Sequence, residues 1–284
     1  MSEKVVEIIH KALVGRFAKL PPLGRTFVDP DLKMQMVPFA LRSASRALRT
    51  IARGSWIALP ECSTLRFFVW WKDGESRTDI DLSAAFLDED FNFKTTVAYY
   101  NLREMGCTHS GDITSAPKGA SEYIDVNIDT ARKQGRYVVM VLNSFTQQPF
   151  KDLPECFAGW MARSAPNSGE VFEARTVQDK IDITSEKTVS VPVLFDLENR
   201  AAIWMDLALK STSAINNVRA NTKGIATMAK ALATLPKPTL YDLFSFHVEA
   251  RGQASSREEA ETVFSLREGV TPFDQDRILS EFLG

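Results

Sequence analysis

The strongest constraint on the fold is the run from Gly54 to about Lys210, where short apolar, β-branched and aromatic segments recur at near-regular intervals between turn-formers. Strands are predicted at 55–59, 65–71, 80–88, 93–99, 122–128, 136–143, 156–163, 179–183, 189–195 and 201–207. Asp73-Gly74, Pro117-Lys118-Gly119, Pro166-Asn167-Ser168-Gly169 and Glu198-Asn199 supply the turns. Strands that rarely alternate with helix-length runs argue against a parallel α/β fold. The prediction is a mainly β, antiparallel two-sheet sandwich.

Helical periodicity brackets this block. Ser2 can cap a helix whose apolar positions Val5, Val6, Ile9, Leu13 and Phe17 recur until Pro21-Pro22. Residues 41–53 read as a second helix, with Arg42, Arg46, Arg49 and Arg53 on one stripe, a candidate anion-binding face. After the β-block, helices are expected at 217–235, 240–250, 255–266 and 274–283. The boundaries that follow are a helical N-terminal extension at 1–53, the sandwich at 54–210 and a helical C-terminal unit at 211–284. The segment 240–250 places Tyr241, Leu243, Phe244, Phe246 and Val248 nearly all around one helix, so it is expected to be sandwiched or to bind a partner.

With 25% charged residues and a formal charge of −2, the chain has no global field that would draw it to nucleic acid or a membrane. Cys62, Cys107 and Cys156 form no C-x-x-C pair, which argues against a disulfide framework or a zinc site. Charges at Glu3, Lys4, Glu7 and Lys11 and the lack of any long apolar run predict a cytoplasmic protein with no membrane insertion.

The chemistry concentrates at Thr78-Asp79-Ile80-Asp81-Leu82-Ser83 and at its expected spatial partner, His109-Ser110-Gly111-Asp112. Side-chain alternation puts Asp79 and Asp81 on one face, where carboxylates about 5 Å apart repel by roughly 3 kcal/mol at a near-surface dielectric. Either a hard cation offsets that repulsion, or the strand end is fully solvated. No enzyme motif accompanies the cluster: His10, His109 and His247 lie in separate contexts, and G-x-S-x-G, P-loop, G-x-G-x-x-G and H-E-x-x-H are all missing. Ser110, His109 and Asp112 are neighbours in one turn and cannot reach the geometry of a triad. The chain is therefore expected not to be an enzyme.

The order Arg77-Thr78-Asp79-Ile80-Asp81-Leu82-Ser83-Ala84, then Val97-Ala98-Tyr99-Tyr100-Asn101-Leu102, then His109-Ser110-Gly111-Asp112, then Glu122-Tyr123-Ile124-Asp125-Val126, resembles the TerD family of bacterial tellurite-resistance and stress-response proteins. The phrases Leu153-Pro154-Glu155-Cys156-Phe157-Ala158-Gly159-Trp160-Met161 and Pro238-Thr239-Leu240-Tyr241-Asp242-Leu243-Phe244 are similar to a subfamily in which such a domain sits inside a longer cytoplasmic protein. The resemblance implies a β-sandwich without known catalytic activity, calcium held by loop carboxylates at one end, and action through other stress-response proteins. Carried over position by position, it assigns Asp79, Asp81, Asn101, Asp112 and Glu122 as metal ligands. The chain departs from the family pattern at Ile113, where an asparagine is usual, at Gly119-Ala120-Ser121, where further acids are usual, and at Asn143, where an aspartate is common. One Ca2+ site is therefore expected rather than two. The alternative is a metal-free scaffold whose basic helix 41–53 contacts an anionic partner.

Overall fold

The computed structural model describes residues 3–39, 45–47, 51–209 and 218–283. In chain order the elements are α1 (Glu3–Phe17), β1 (Gly24–Val28), β2 (Ser45–Ala47), β3 (Trp56–Ala58), β4 (Thr64–Lys72), β5 (Ile80–Leu87), β6 (Phe93–Val97), β7 (Arg103–Glu104), β8 (Cys107–His109) and β9 (Ala120–Asn127). They continue with α2 (Ile128–Ala131), β10 (Tyr137–Ser144), β11 (Glu155–Arg163), β12 (Val177–Ile183), β13 (Val189–Asp196), β14 (Ala201–Leu209), α3 (Val218–Thr234), α4 (Leu240–Arg251), β15 (Gly252–Ala254), β16 (Thr262–Phe264) and α5 (Gln275–Arg277), the last running on into a π-helical turn over Ile278–Leu283. These elements divide into two compact units: one of residues 42–50 and 56–235, the other of residues 1–41, 51–55 and 236–284.

The larger unit is the predicted sandwich, and all ten predicted strands are present. A six-stranded sheet runs β3-β14-β13-β10-β5-β6 and a seven-stranded sheet runs β2-β12-β11-β4-β9-β8-β7, every pairing antiparallel. The sheets meet through Phe67, Trp160 and Phe195, whose rings stack at 4.6 Å (Phe67–Phe195) and meet edge-on at 5.6 Å (Trp160–Phe195). On the outer face of the six-stranded sheet, Val218, Ile225 and Ala229 of α3 pack on Ala85, Leu87, Val139 and Val141. That second layer is why β5, β10 and β13 are buried along their whole length and read as continuous apolar runs rather than alternating ones. It also moves 218–234 out of the expected helical C-terminal unit and into the sandwich.

The smaller unit is built from both ends of the sequence. β1 pairs in parallel with β15 and with β16, giving a three-stranded sheet whose strands come from segments more than two hundred residues apart. Thr239 caps α4 in a reciprocal box with Asp242. Its helix then buries Leu240, Leu243, Phe244 and His247 among Phe17 of α1, Phe264 of β16 and Phe282 of the terminal turn. The large apolar side chains of the 240–250 helix thus pack within its own unit.

Three expectations need correction. Residues 45–47 are strand β2, paired with Ile181–Ile183 of β12, so the helix over 41–53 is interrupted and its arginine stripe does not exist as drawn. Arg42 and Arg49 lie outside the described residues, Arg46 is on β2, and Arg53 stands in a turn before Gly54. The 255–266 segment is also not helical: Thr262–Phe264 extends to pair with β1, because the parallel ladder claims backbone groups that local propensity would have left to a helix. Finally, 1–53 and 211–284 are not separate extensions, since most of both folds into one core.

Candidate metal centre

Asp79 directly precedes β5 and Asp81 lies two residues into the strand system, so both belong to the chemistry of one strand end. The turn before them is pinned from several sides. The Trp71 indole N–H donates to the Thr78 carbonyl at 3.1 Å, and the Thr78 N–H donates to Asp73 Oδ1 at 3.1 Å. The Phe145 N–H, just past β10, donates to the Asp79 carbonyl at 2.9 Å. Within the ladder Asp81 stands opposite Asn143 of β10, whose Nδ2 donates to Asp81 Oδ2 at 3.2 Å.

Asp112 comes from the loop after β8. Gly111 holds φ +113°, a conformation that side-chain-bearing residues rarely adopt. With it the loop turns so that Asp79, Asp81 and Asp112 each bring a carboxylate oxygen within 4.8 Å of the others. Asp79 and Asp81 are only 4% exposed, whereas Asp112 is open to solvent. The cluster is therefore a buried acidic pair with one exposed wall.

Its electrostatics are unfavourable as it stands. Burial, and then the Asp112 charge, raise the Asp79 carboxyl above the usual range, with Arg77 opposing. Burial pushes Asp81 up to about 7 against the Asn143 hydrogen bond, and the charges of Asp79 and Asp112 add to the rise. Asp79 Oδ1 is shielded from solvent and has no hydrogen-bond donor among the described residues. A carboxylate oxygen in that state is costly unless a cation reaches it. Three hard oxygens with no thiolate or imidazole among them suit a hard cation rather than zinc.

The structure does not gather all five predicted ligands. Glu122 is fully buried, and both of its oxygens are occupied by backbone: Oε2 accepts from the Leu82 N–H at 3.0 Å and Oε1 from the Ile113 N–H at 2.9 Å. Burial drives its carboxyl up to about 8 even against those two bonds. Asn101 turns its amide nitrogen to the Thr96 carbonyl at 2.9 Å and to Glu104. His109, beside the centre, is also committed elsewhere. Its Nδ1 accepts the Gly111 N–H at 3.0 Å, so Nε2 carries the hydrogen and donates to the Leu82 carbonyl at 3.0 Å. Burial lowers the pKa of this imidazole, against its hydrogen bonds and the Asp112 charge.

Glu122 and His109 together take both backbone groups of Leu82, next to Asp81, and the N–H groups on either side of Asp112. They set the separation of the two halves of the centre without belonging to it. Sequence reading missed this role, and it missed Asn143 as the partner of Asp81. The signal for Asn143 was its place at the end of a strand whose register puts it opposite the acidic pair.

No helix among the described residues is long and apolar enough to cross a membrane. No family model matches the sequence, and no curated protein matches it. Among solved structures, the chain is similar to the crystal structure of a homologue of telluride resistance protein (TerD) from Streptomyces coelicolor A3(2), with a TM-score of 0.47, 9% identity, and coverage of 58% of this chain and 98% of that one.

Proposed function

We propose that the sandwich is a non-catalytic, calcium-binding domain of TerD type that serves a bacterial stress response through protein partners. The observation that carries this reading is the convergence of Asp79, Asp81 and Asp112 within 4.8 Å, with a buried Asp79 oxygen that no group among the described residues satisfies. The ordered resemblance in sequence, from Thr78-Asp79-Ile80-Asp81 through Gly111-Asp112, supports the family. Calcium fits better than magnesium, because a loop-and-strand site of mixed geometry tolerates six to eight irregular oxygen ligands, whereas magnesium demands a near-ideal octahedron. A bound cation would supply the positive charge that the acidic pair lacks. A non-catalytic role is supported by His109 next to the centre, which is buried with both ring nitrogens engaged and so is not placed as a general base for Ser110.

The test is a melting experiment on chelator-treated protein. A ligand at about a hundred times its Kd that binds only the folded state adds roughly 2.7 kcal/mol, a shift of a few degrees for a chain of this size. Calcium is expected to give that shift, magnesium distinctly less, and Asp79→Asn combined with Asp81→Asn none. An unmoved wild-type curve in millimolar calcium would overturn the reading.

A further inference from the structure

The first helix, α1, buries one face and leaves a second apolar face uncovered. On the packed side Phe17 stacks on His247 of α4 at 3.9 Å, His10 meets the Phe246 ring at 5.2 Å and Glu249 at 2.9 Å, and Leu13 joins the same interior. Val5, Ile8, Ile9 and Ala12, spaced i, i+3, i+4 and i+7, share a different face. Val5, Ile8 and Ile9 are 42%, 67% and 46% exposed, although a surface helix needs only the stripe it buries to be apolar.

Charge of one sign follows that uncovered face. Lys4 and Lys11 border it, Arg16 extends it by a turn, and Lys19 stands just past the helix end; all four are exposed. After Glu7 the sequence has no acid until Asp29, while it carries Lys11, Arg16, Lys19 and Arg25. Glu7 is engaged with Lys11 at 2.6 Å, and Lys4, Arg16 and Lys19 have no ion-pair partner among the described residues. A second copy is a poor occupant, because self-pairing would set these cations against like charge. The face also lacks the aromatic anchors that centre protein interfaces. An anionic lipid surface matches both features: its acyl boundary takes aliphatic side chains, and lysine and arginine stems reach back to its headgroups.

We propose that α1 docks the protein on an anionic lipid surface, lying in the membrane plane with Val5, Ile8 and Ile9 at the acyl boundary and Lys4, Lys11, Arg16 and Lys19 among the headgroups. The helix rests on the bilayer and does not cross it. This docking is independent of the acidic centre.

The test is co-flotation of the full chain with vesicles in chelator, so that calcium cannot bridge protein to lipid. Wild type is expected to float with phosphatidylcholine vesicles containing about 30% phosphatidylserine, and to stay behind with phosphatidylcholine alone. Ile8→Asn, at a site with little packing to lose, should melt as wild type does and bind about tenfold weaker. Arg16→Gln combined with Lys19→Gln should bind about twentyfold weaker, since each cation near such a surface contributes about fivefold. Equal flotation with both lipids overturns the proposal, as does Ile8→Asn binding the phosphatidylserine vesicles like wild type. It also falls if wild type floats with neither lipid, or if light scattering without lipid shows a dimer that Ile8→Asn dissociates; the face then serves a protein.

Discussion

Two buried side chains outside the three-carboxylate cluster, His109 and Glu122, hold the N–H groups on either side of Asp112 and so help to fix its loop. Groups of this kind, which orient ligands from behind, typically cost ten- to a hundredfold in metal affinity when changed. Glu122→Gln is close to isosteric but places an amide nitrogen against a backbone N–H, so calcium affinity by titration should fall by about that factor. The Ile113 amide should exchange faster in the calcium-free protein, a readout that does not depend on metal. The same residues predict a pH dependence. Folded Asp81 and Glu122 hold protons up to about 7 and about 8, well above the ordinary carboxylate values they regain on unfolding. Between those ordinary values and about pH 8 the folded state therefore binds more protons, and stability in chelator should decline as pH rises from 5 to 8. Denaturant melts across that range check the sign. Asp79, Asp81 and Asp112 were legible in the sequence because alternation and an ordered motif both mark them. Glu122 was misread because a carboxylate's neighbourhood can be inferred from sequence, whereas the two N–H groups it serves appear only once β5, β9 and the 111–113 loop are assembled.

At the level of elements, strands with strong apolar runs were read to within a few residues, while the weak ones were not. β2, β7, β8, β15 and β16 are two or three residues long and exist because a longer neighbour offers an open edge. Nothing in Ser45-Arg46-Ala47 announces a strand, and the arginine spacing there imitates a helix face. Close approach shows the same context dependence. Gly159 of β11 has no unusual conformation, yet a Cβ at that position would overlap the Asp179 carbonyl and the ring of Phe68. Gly159→Ala is expected to cost about 1–3 kcal/mol, the range for overpacking, in equilibrium unfolding. No such loss should follow at Gly169, where an added Cβ meets nothing within 4 Å, apart from the strain of its φ of +79°.

At the level of the whole molecule, each of the two units has its own apolar interior, and the two make separable predictions. Phe282 packs edge-on against Phe244 and Phe264 at 5.3 Å each, and its carbonyl accepts from the buried His247 Nε2 at 2.9 Å. Phe282→Ala should cost about 3–5 kcal/mol in that core. Hydrogen exchange should show α4 amides opening faster while β5 and β10 keep their protection; equal loosening of both would mean that one cooperative unit spans the chain. Removing 253–284 is expected to unfold the smaller unit rather than trim an appendage, because Phe264, Val270, Ile278 and Phe282 are part of its interior. Domain boundaries were the least legible property, since periodicity describes neighbours in sequence and this core joins residues from opposite ends.

The parallel pairing of β1 with β15 and β16 also sets a timetable for synthesis. Translation delivers β1 early and both of its partners late, after every strand of the sandwich and α3 have been made. The acidic centre can thus be complete on a ribosome-bound chain while β1 is still an unpaired edge and Phe17 still lacks its cover. During that interval the unpaired edge of β1 and the apolar surface around Phe17 stay open, features of the kind that chaperones bind.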